Sequence, residues 1–225
     1  MDAVFFDENG EFIIEPPEDY SDPWMADCTI KWYFCTKCFR YFHSPEDLKL
    51  HSARCAPKFE NIIYREGNCC IAHVNSESSV EEKTICEWLM TVQADEIDAK
   101  YDSLAPQKWN THKYQVFLLL EKSMTVSAVV TQKLKIPDEN GQQEDCVLVS
   151  EIFTLYSQRR KGHMEKLLSV ALKALGANFG TAVFQRQFSE NGEACLTRIA
   201  KKQGLKSIRT FCPPFIDRIM PFPIP

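Results

Sequence analysis

The chain has 225 residues, of which 44% are apolar and 25% charged, a composition that excludes wholesale disorder and predicts a soluble, folded protein. The formal net charge of −5 is uneven: the first 30 residues hold nine carboxylates and no Lys or Arg, leaving +4 for the rest, too little to make a nucleic-acid surface on electrostatics alone. The longest apolar run is Val116-Phe117-Leu118-Leu119-Leu120 and the start Met1-Asp2-Ala3 is acidic, so neither a membrane span nor a signal peptide is expected, and an intracellular location is.

Residues 1–29 read as an acidic, solvated leader. The chain holds ten cysteines and is expected to occupy a reducing compartment, so thiols and metal ligands are expected rather than disulfides. Cys35 and Cys38 are separated by two residues, Cys38 and His51 by twelve, His51 and Cys55 by three. This is the spacing of a ββα zinc finger whose second histidine has become cysteine. Phe42 and Leu48 stand where such a module needs apolar anchors. Ser44 suits an N-cap, Pro45 the first helical position, and Glu46 and Asp47 the positive end of the helix dipole. Four ligands close the shell of Zn2+, so the expected role is structural. Ser44, Asp47 and Leu50 would be the base-reading positions; an acidic and apolar face does not attract phosphate, and no direct base-specific DNA reading is expected.

Beyond the finger, residues 61–64 and 69–74 predict strands around the turn Glu66-Gly67-Asn68. Ser79 and Glu82 form a capping box that opens a helix through Ile85, Trp88, Leu89 and Val92. Residues 98–113 read as loop. Residues 114–120 and 125–134 predict a hairpin across residues 121–124, and a polar excursion over 138–144 leads to a strand over 146–154. Ser157-Gln158-Arg159-Arg160-Lys161-Gly162-His163 then runs into an amphipathic helix with Met164, Leu167, Leu168, Ala171, Leu172 and Leu175 on one face and Gly176 at its end. A strand, a basic glycine-bearing turn and a helix N-terminus form an anion cradle suited to a diphosphate. His163 is expected to be solvated, Lys201-Lys202 to lie on a wet face, and Cys69, Cys70, Cys86, Cys146, Cys195 and Cys212 to be buried thiols.

Finger and cradle in this order resemble the MYST family of lysine acetyltransferases, over roughly residues 12–205. Residues 15–20 (Glu-Pro-Pro-Glu-Asp-Tyr) resemble the family's S-P-x-P-E-x-Y, and the finger has its Cys-Cys-His-Cys ligand set and the pair Tyr41-Phe42. Ile63-Tyr64-Arg65 resembles E-I-Y-R, and Ile97-Asp98-Ala99-Lys100 resembles L-D-H-K, whose lysine is self-acetylated, which marks Lys100 as a modification site. Arg159-Arg160-Lys161-Gly162 stands at the acetyl-CoA pyrophosphate motif, and Ser189-Glu190-Asn191-Gly192 at S-D-L-G. The resemblance implies an α+β fold: a zinc finger (30–56) packed on a GNAT/MYST-like mixed sheet with helices (57–205), preceded by the leader (1–29) and followed by a proline-rich tail (206–225). It implies structural zinc on Cys35, Cys38, His51 and Cys55, and acetyl-CoA held by Phe153, Thr154, Arg159, Arg160, Lys161, Gly162, His163 and Ser189. Chromatin or chromatin-complex proteins are the implied partners, with a histone tail as a further one, and the nucleus is the implied location.

The departures concern catalysis. The family glutamate that takes the proton from the incoming ammonium falls on Gln185, an amide that cannot accept it, and the family cysteine falls on Glu151. Met164 replaces a second glycine and is expected to crowd the diphosphate. The sequence therefore supports a catalytically impaired acetyltransferase homologue that serves as a zinc-stabilised interaction scaffold. The alternative is an active protein lysine N-acetyltransferase in which Glu151 has become the general base.

Overall fold

The apolar runs in the middle of the sequence become the centre of an eight-stranded mixed sheet. The computed structural model describes residues 3–14, 16, 30–97, 113–138, 140–185, 189–212 and 216–224. In chain order, β4 (Ile62–Glu66), β5 (Cys69–Val74), β6 (Tyr114–Glu121), β7 (Met124–Pro137) and β8 (Gln143–Thr154) form an antiparallel meander. Next to β8 lie β9 (Val183–Gln185) and β10 (Ser207–Cys212), each parallel to its predecessor, and β11 (Ile216–Pro223) closes the edge antiparallel to β10. Parallel neighbours need crossovers. These are α3 (His163–Ala174), between β8 and β9, and α4 (Glu190–Lys202), between β9 and β10.

Every side chain from Val116 to Leu120 and from Thr125 to Gln132 is buried. Strands covered on both faces lose polar alternation and read as apolar runs. The hairpin between β6 and β7 is tighter than residues 121–124 suggested. Only Lys122 and Ser123 turn, at φ of 49° and 70°, the mirror-image turn whose twist matches the strands, here without the usual Asn-Gly. The polar excursion after β7 is likewise a hairpin turn, held by Asp138 Oδ1, which accepts from the N–H of Asn140 and of Gln142. Each crossover helix ends on a glycine in the left-handed region. At α3, Ala177 N–H reaches Leu172 O and Gly176 N–H reaches Lys173 O, which satisfies the last carbonyls.

A smaller sheet, in the order β1 (Ala3–Phe6), β2 (Ile30–Phe34), β3 (Tyr41–Phe42), joins the finger to the start of the chain. Here the expected solvated leader is corrected: β1 pairs in parallel with β2, and Val4, Phe5, Ile13 and Ile14 are core residues. The apolar pieces Ala3–Phe6 and Phe12–Ile14 outweigh the surrounding carboxylates. The proline-rich tail is corrected too. Residues 207–212 and 216–223 pair as the two outermost strands of the main sheet, with Pro221 and Pro223 on edge strand β11, where a missing N–H costs no internal bond. Finger and sheet share one core, because Trp32, Phe34 and Phe39 belong to the same cluster as Phe117, Val129, Phe153 and Leu168.

Candidate active site and metal centre

The finger knuckle is a tight loop in which Phe39 N–H and Cys38 N–H both bond Cys35 O, and Cys35 N–H bonds Arg40 O. Helix α1 (Pro45–Ser52) starts at Ser44, whose hydroxyl accepts from Asp47 N–H at 3.1 Å. The helix ends before Cys55, yet Cys55 N–H still bonds His51 O at 2.9 Å, so one more turn brings both ligands to one side. The ligand atoms of Cys35, Cys38, His51 and Cys55 all lie within 4.8 Å of one another, and Cys38 Sγ is 3.2 Å from His51 Nε2. Tetrahedral zinc with Zn–S of about 2.3 Å needs sulfurs about 3.8 Å apart, so this donor set fits zinc with small adjustments.

The thiols show why a cation belongs there. Cys35 is lowered to about 5 by a hydrogen bond from Cys38, against burial and with help from the Lys37 and Cys38 N–H groups. Cys38 is pushed up by its bond to Cys35 and by burial, and Cys55 is raised to about 11 by burial and by the negative charge on Cys35. One thiolate suppresses the other two unless a metal compensates all three.

The second constellation lies where β8 and β9 part. Among the described residues their ladder consists of Leu148 with Val183 and Val149 with Phe184. Immediately beyond, the pairing of β8 with β7 shifts register between Val130–Glu151 and Thr131–Val149, so Ser150 is the extra residue of a bulge. Leu155 N–H bonds Val126 O. By antiparallel alternation, the N–H and C=O of Glu151 and Phe153 then point to β7, whereas those of Ile152 and Thr154 point into the gap.

Glu151 stands at this mouth, opposite Val130, and Gln185, which pairs with Phe211 of β10, follows the last residue of β9 that pairs with β8. No hydrogen bond or ion pair to Glu151 occurs among the described residues, and burial alone raises its carboxyl from 4.5 to about 7. Beyond β8, the turn before α3 holds two left-handed residues, Arg160 at φ 66° and Gly162 at φ 82°. A Cβ added to Gly162 would meet nothing within 4 Å, so the space in front of the turn is open. The first intrahelical bond of α3 runs from Lys166 N–H to Gly162 O, which leaves the N–H groups of His163, Met164 and Glu165 outside the helix ladder. Arg160 and Lys161 are exposed beside them.

The remaining sequence-derived residues are distributed as follows. Phe153 turns its ring to Phe39 of the finger, and its carbonyl accepts from Ser127 Oγ at 2.7 Å. Thr154 O faces the turn and accepts from Arg159 Nε at 3.5 Å, while the Arg159 guanidinium lies over the Tyr156 ring. His163 is not solvated: its side chain is 13% exposed and Nε2 has no hydrogen-bond partner among the described residues, with Glu121 3.7 Å away. Burial holds its imidazole below the usual value despite that carboxylate. Met164 is buried in the core with Leu167 and Leu168 rather than crowding the turn. Ser189 is the N-cap of α4, its hydroxyl accepting from Gly192 N–H. Lys202 pairs with Glu165 across the two crossover helices at 2.6 Å. Cys86 and Cys146 are buried as expected, whereas Cys69, Cys70 and Cys195 are half-buried. Lys100 and the stretch 17–20 lie outside the described residues. Sequence reasoning missed the bulge at Ser150 and the partnership of Phe39 with Phe153; only sheet register and tertiary contact carry these signals.

No family model matches the chain, and no curated protein matches it by sequence. Solved structures do. The xEco2 acetyltransferase domain bound to a lysine–CoA conjugate is similar with a TM-score of 0.50 at 11% identity, over 63% of this chain and 93% of that one. An aminoglycoside acetyltransferase from an uncultured soil metagenomic sample, in complex with trehalose, gives a TM-score of 0.41 at 10% identity, over 60% of this chain and 88% of that one. Ribosomal-protein-alanine N-acetyltransferase from Brucella melitensis biovar Abortus 2308 gives 0.39 at 18% identity, over 58% of this chain and 90% of that one. The fold is therefore a mixed α+β arrangement similar to that of the xEco2 acetyltransferase domain, carrying a Cys3His cluster that suits zinc.

Proposed function

We propose that the chain is an acetyl-CoA-dependent N-acetyltransferase acting on an amine, with Glu151 as the proton acceptor. One observation carries the reading: a carboxylate raised to about 7 by burial sits where β8 and β9 separate, on the strand that leads into the basic turn and the helix after it. A carboxylate at its ordinary value of 4.5 would be a weak base toward an ammonium, and one near neutrality combines availability with strength.

The chain's own groups divide the work. The N–H groups of His163, Met164 and Glu165, with Arg160, Lys161 and the dipole of α3, would hold a diphosphate. The outward N–H and C=O groups of Ile152 and Thr154 offer sheet-like hydrogen bonds to an extended ligand entering the gap. Bound acetyl-CoA supplies an acetyl thioester, so transfer forms a C–N bond to the amine and breaks the C–S bond to CoA. Glu151 takes a proton from the ammonium and passes it to solvent, freeing the lone pair that attacks. The second proton, released as the amide forms, leaves with the sulfur as the thiol. Zinc on the finger is outside this chemistry: four protein ligands leave no position for a reactant.

The finer reading is a MYST-like protein lysine acetyltransferase, with chromatin-complex proteins as partners and the nucleus as location. It is supported by the Cys3His set, by the motif resemblances, and by the lysine–CoA conjugate bound to the similar xEco2 domain. A second reading, a scaffold without turnover, is favoured by Gln185, which places an amide where the family has its base. Acetyl-CoA titrated calorimetrically into zinc-loaded protein, with Gly162→Trp as the blocked control, tests the cradle. Binding abolished in the control, followed by lysine acetylation that Glu151→Gln removes, supports the enzyme. No binding at millimolar acetyl-CoA refutes it in favour of the scaffold.

A further inference from the structure

The finger is joined to the catalytic strand by one ring. Phe39 directly follows Cys38, takes a positive φ of 57°, and is 0% exposed. A bulky residue in the left-handed region is strained and persists only where its surroundings hold it there. What this conformation achieves is visible in its contact: the Phe39 ring meets Phe153 edge-on, with centroids 6.0 Å apart. Phe153 is two residues from Glu151 on β8, and pairs with Ala128 as Glu151 pairs with Val130. The two side chains therefore share one face of the strand. The backbone repeats the link, since Thr125 N–H of β7 bonds Thr36 O of the knuckle at 2.9 Å. Thr36 is in turn gripped by the Glu8 carboxylate through its N–H and its hydroxyl.

We propose that Phe39 is a positioning residue: it transmits the folded geometry of the metal-holding knuckle to Phe153, and through Phe153 keeps the Glu151 stretch of β8 in place and covered from water. The inference rests on the reading of Glu151 as proton acceptor for its functional meaning, but not for its structural content. Along β8, β7, β9 and the knuckle, no charged group among the described residues acts on Glu151, whose raised carboxyl is due to burial alone. Whatever thins that cover lowers the midpoint, with no competing ion pair to mask the change. The finger thus acts beyond stapling: the order of its knuckle sets how dry the acceptor site is.

The test is the titration of Glu151, followed by 13C NMR on carboxyl-labelled glutamate and assigned by the signal lost in Glu151→Gln, without substrate. It is run on zinc-loaded wild type, Phe39→Leu, Phe153→Leu and Phe39→Met, with bound zinc measured in each. The expected result is a midpoint lowered by about one pH unit, a tenfold change in acidity, in both Leu variants at unchanged zinc content, with a similar fall in Phe39→Met, whose side chain has about the volume of leucine and also lacks the ring. Leu196→Ala, a core change on α4, controls for general loosening and should leave the midpoint in place. An unchanged midpoint in Phe39→Leu, or an equal fall in Leu196→Ala, overturns the proposal. Should wild type titrate high and respond to Phe39 while Glu151→Gln retains full acetyl transfer, the base assignment fails and the positioning role stands.

Discussion

Replacing Glu151 by Gln should move stability and activity in opposite directions. The folded carboxyl titrates at about 7 and its ordinary value is 4.5. A carboxyl raised on folding favours the folded state while protonated. That advantage is complete below pH 4.5, falls as the pH rises through 7, and is gone above it. At ~1.4 kcal/mol per tenfold, burying the charged form costs about 3 kcal/mol at pH 8 and under about 1 kcal/mol at pH 5. Glutamine keeps the shape and never ionises. The assay is urea unfolding of wild type and variant at both pH values. The difference between them isolates this one group, because other raised carboxyls such as Asp7 are common to both. Relative to wild type, the variant should gain about 2 to 3 kcal/mol of stability from pH 5 to pH 8. In the same variant kcat/KM should fall by about a hundredfold to ten-thousandfold and lose its rise around pH 7. Parallel stability profiles for the two proteins would refute the burial argument, and a parallel activity profile would refute the base role.

Three further outcomes follow from the packing. Chelation of the metal should lower the melting temperature of the whole fold rather than release the finger alone, since Trp32, Phe34 and Phe39 share the core of the sheet; calorimetry with and without chelator should show one shifted transition, and an unshifted main transition would contradict it. Thr125→Val should stabilise by about 1 kcal/mol in denaturant unfolding, because the Thr125 hydroxyl is buried without a hydrogen-bond partner among the described residues and valine has the same shape without the polar atom; a loss of stability would mean that the hydroxyl is satisfied. Ser79→Ala should cost about 1 kcal/mol in the same measurement, because Ser79 caps Glu82 N–H and donates to the Glu82 carboxylate, which is 1% exposed; an unchanged midpoint would dismiss the capping box.

Local chemistry was legible in the chain wherever neighbours in sequence are neighbours in space. The knuckle and its helix, the Ser79–Glu82 box that opens α2 (Val80–Ile97) and the apolar face of α3 each follow from spacing within a dozen or so residues. The zinc ligands were readable for the same reason, as two local pairs whose chemistry admits few other uses. Charge and proline content misled at both ends. Nine carboxylates concealed a parallel strand over Ala3–Phe6, and a row of prolines concealed a paired edge strand, because strand pairing depends on a partner far away in the chain. His163 and Met164 likewise took their environments from packing that no window of sequence contains.

For the candidate site, the sequence by itself determined that a basic glycine turn opens a helix after β8, while Glu151 and Gln185 were pointed to by the family resemblance. Whether the Glu151 carboxyl keeps its ordinary value or is raised toward neutrality was decided by the tertiary structure alone. Burial alone raises it, on a stretch of β8 that follows the bulge at Ser150 and leads to Phe153, whose ring Phe39 meets edge-on. Residue type sets the ordinary value of a carboxyl; burial, which exists only once distant segments meet, sets the value it has in the fold.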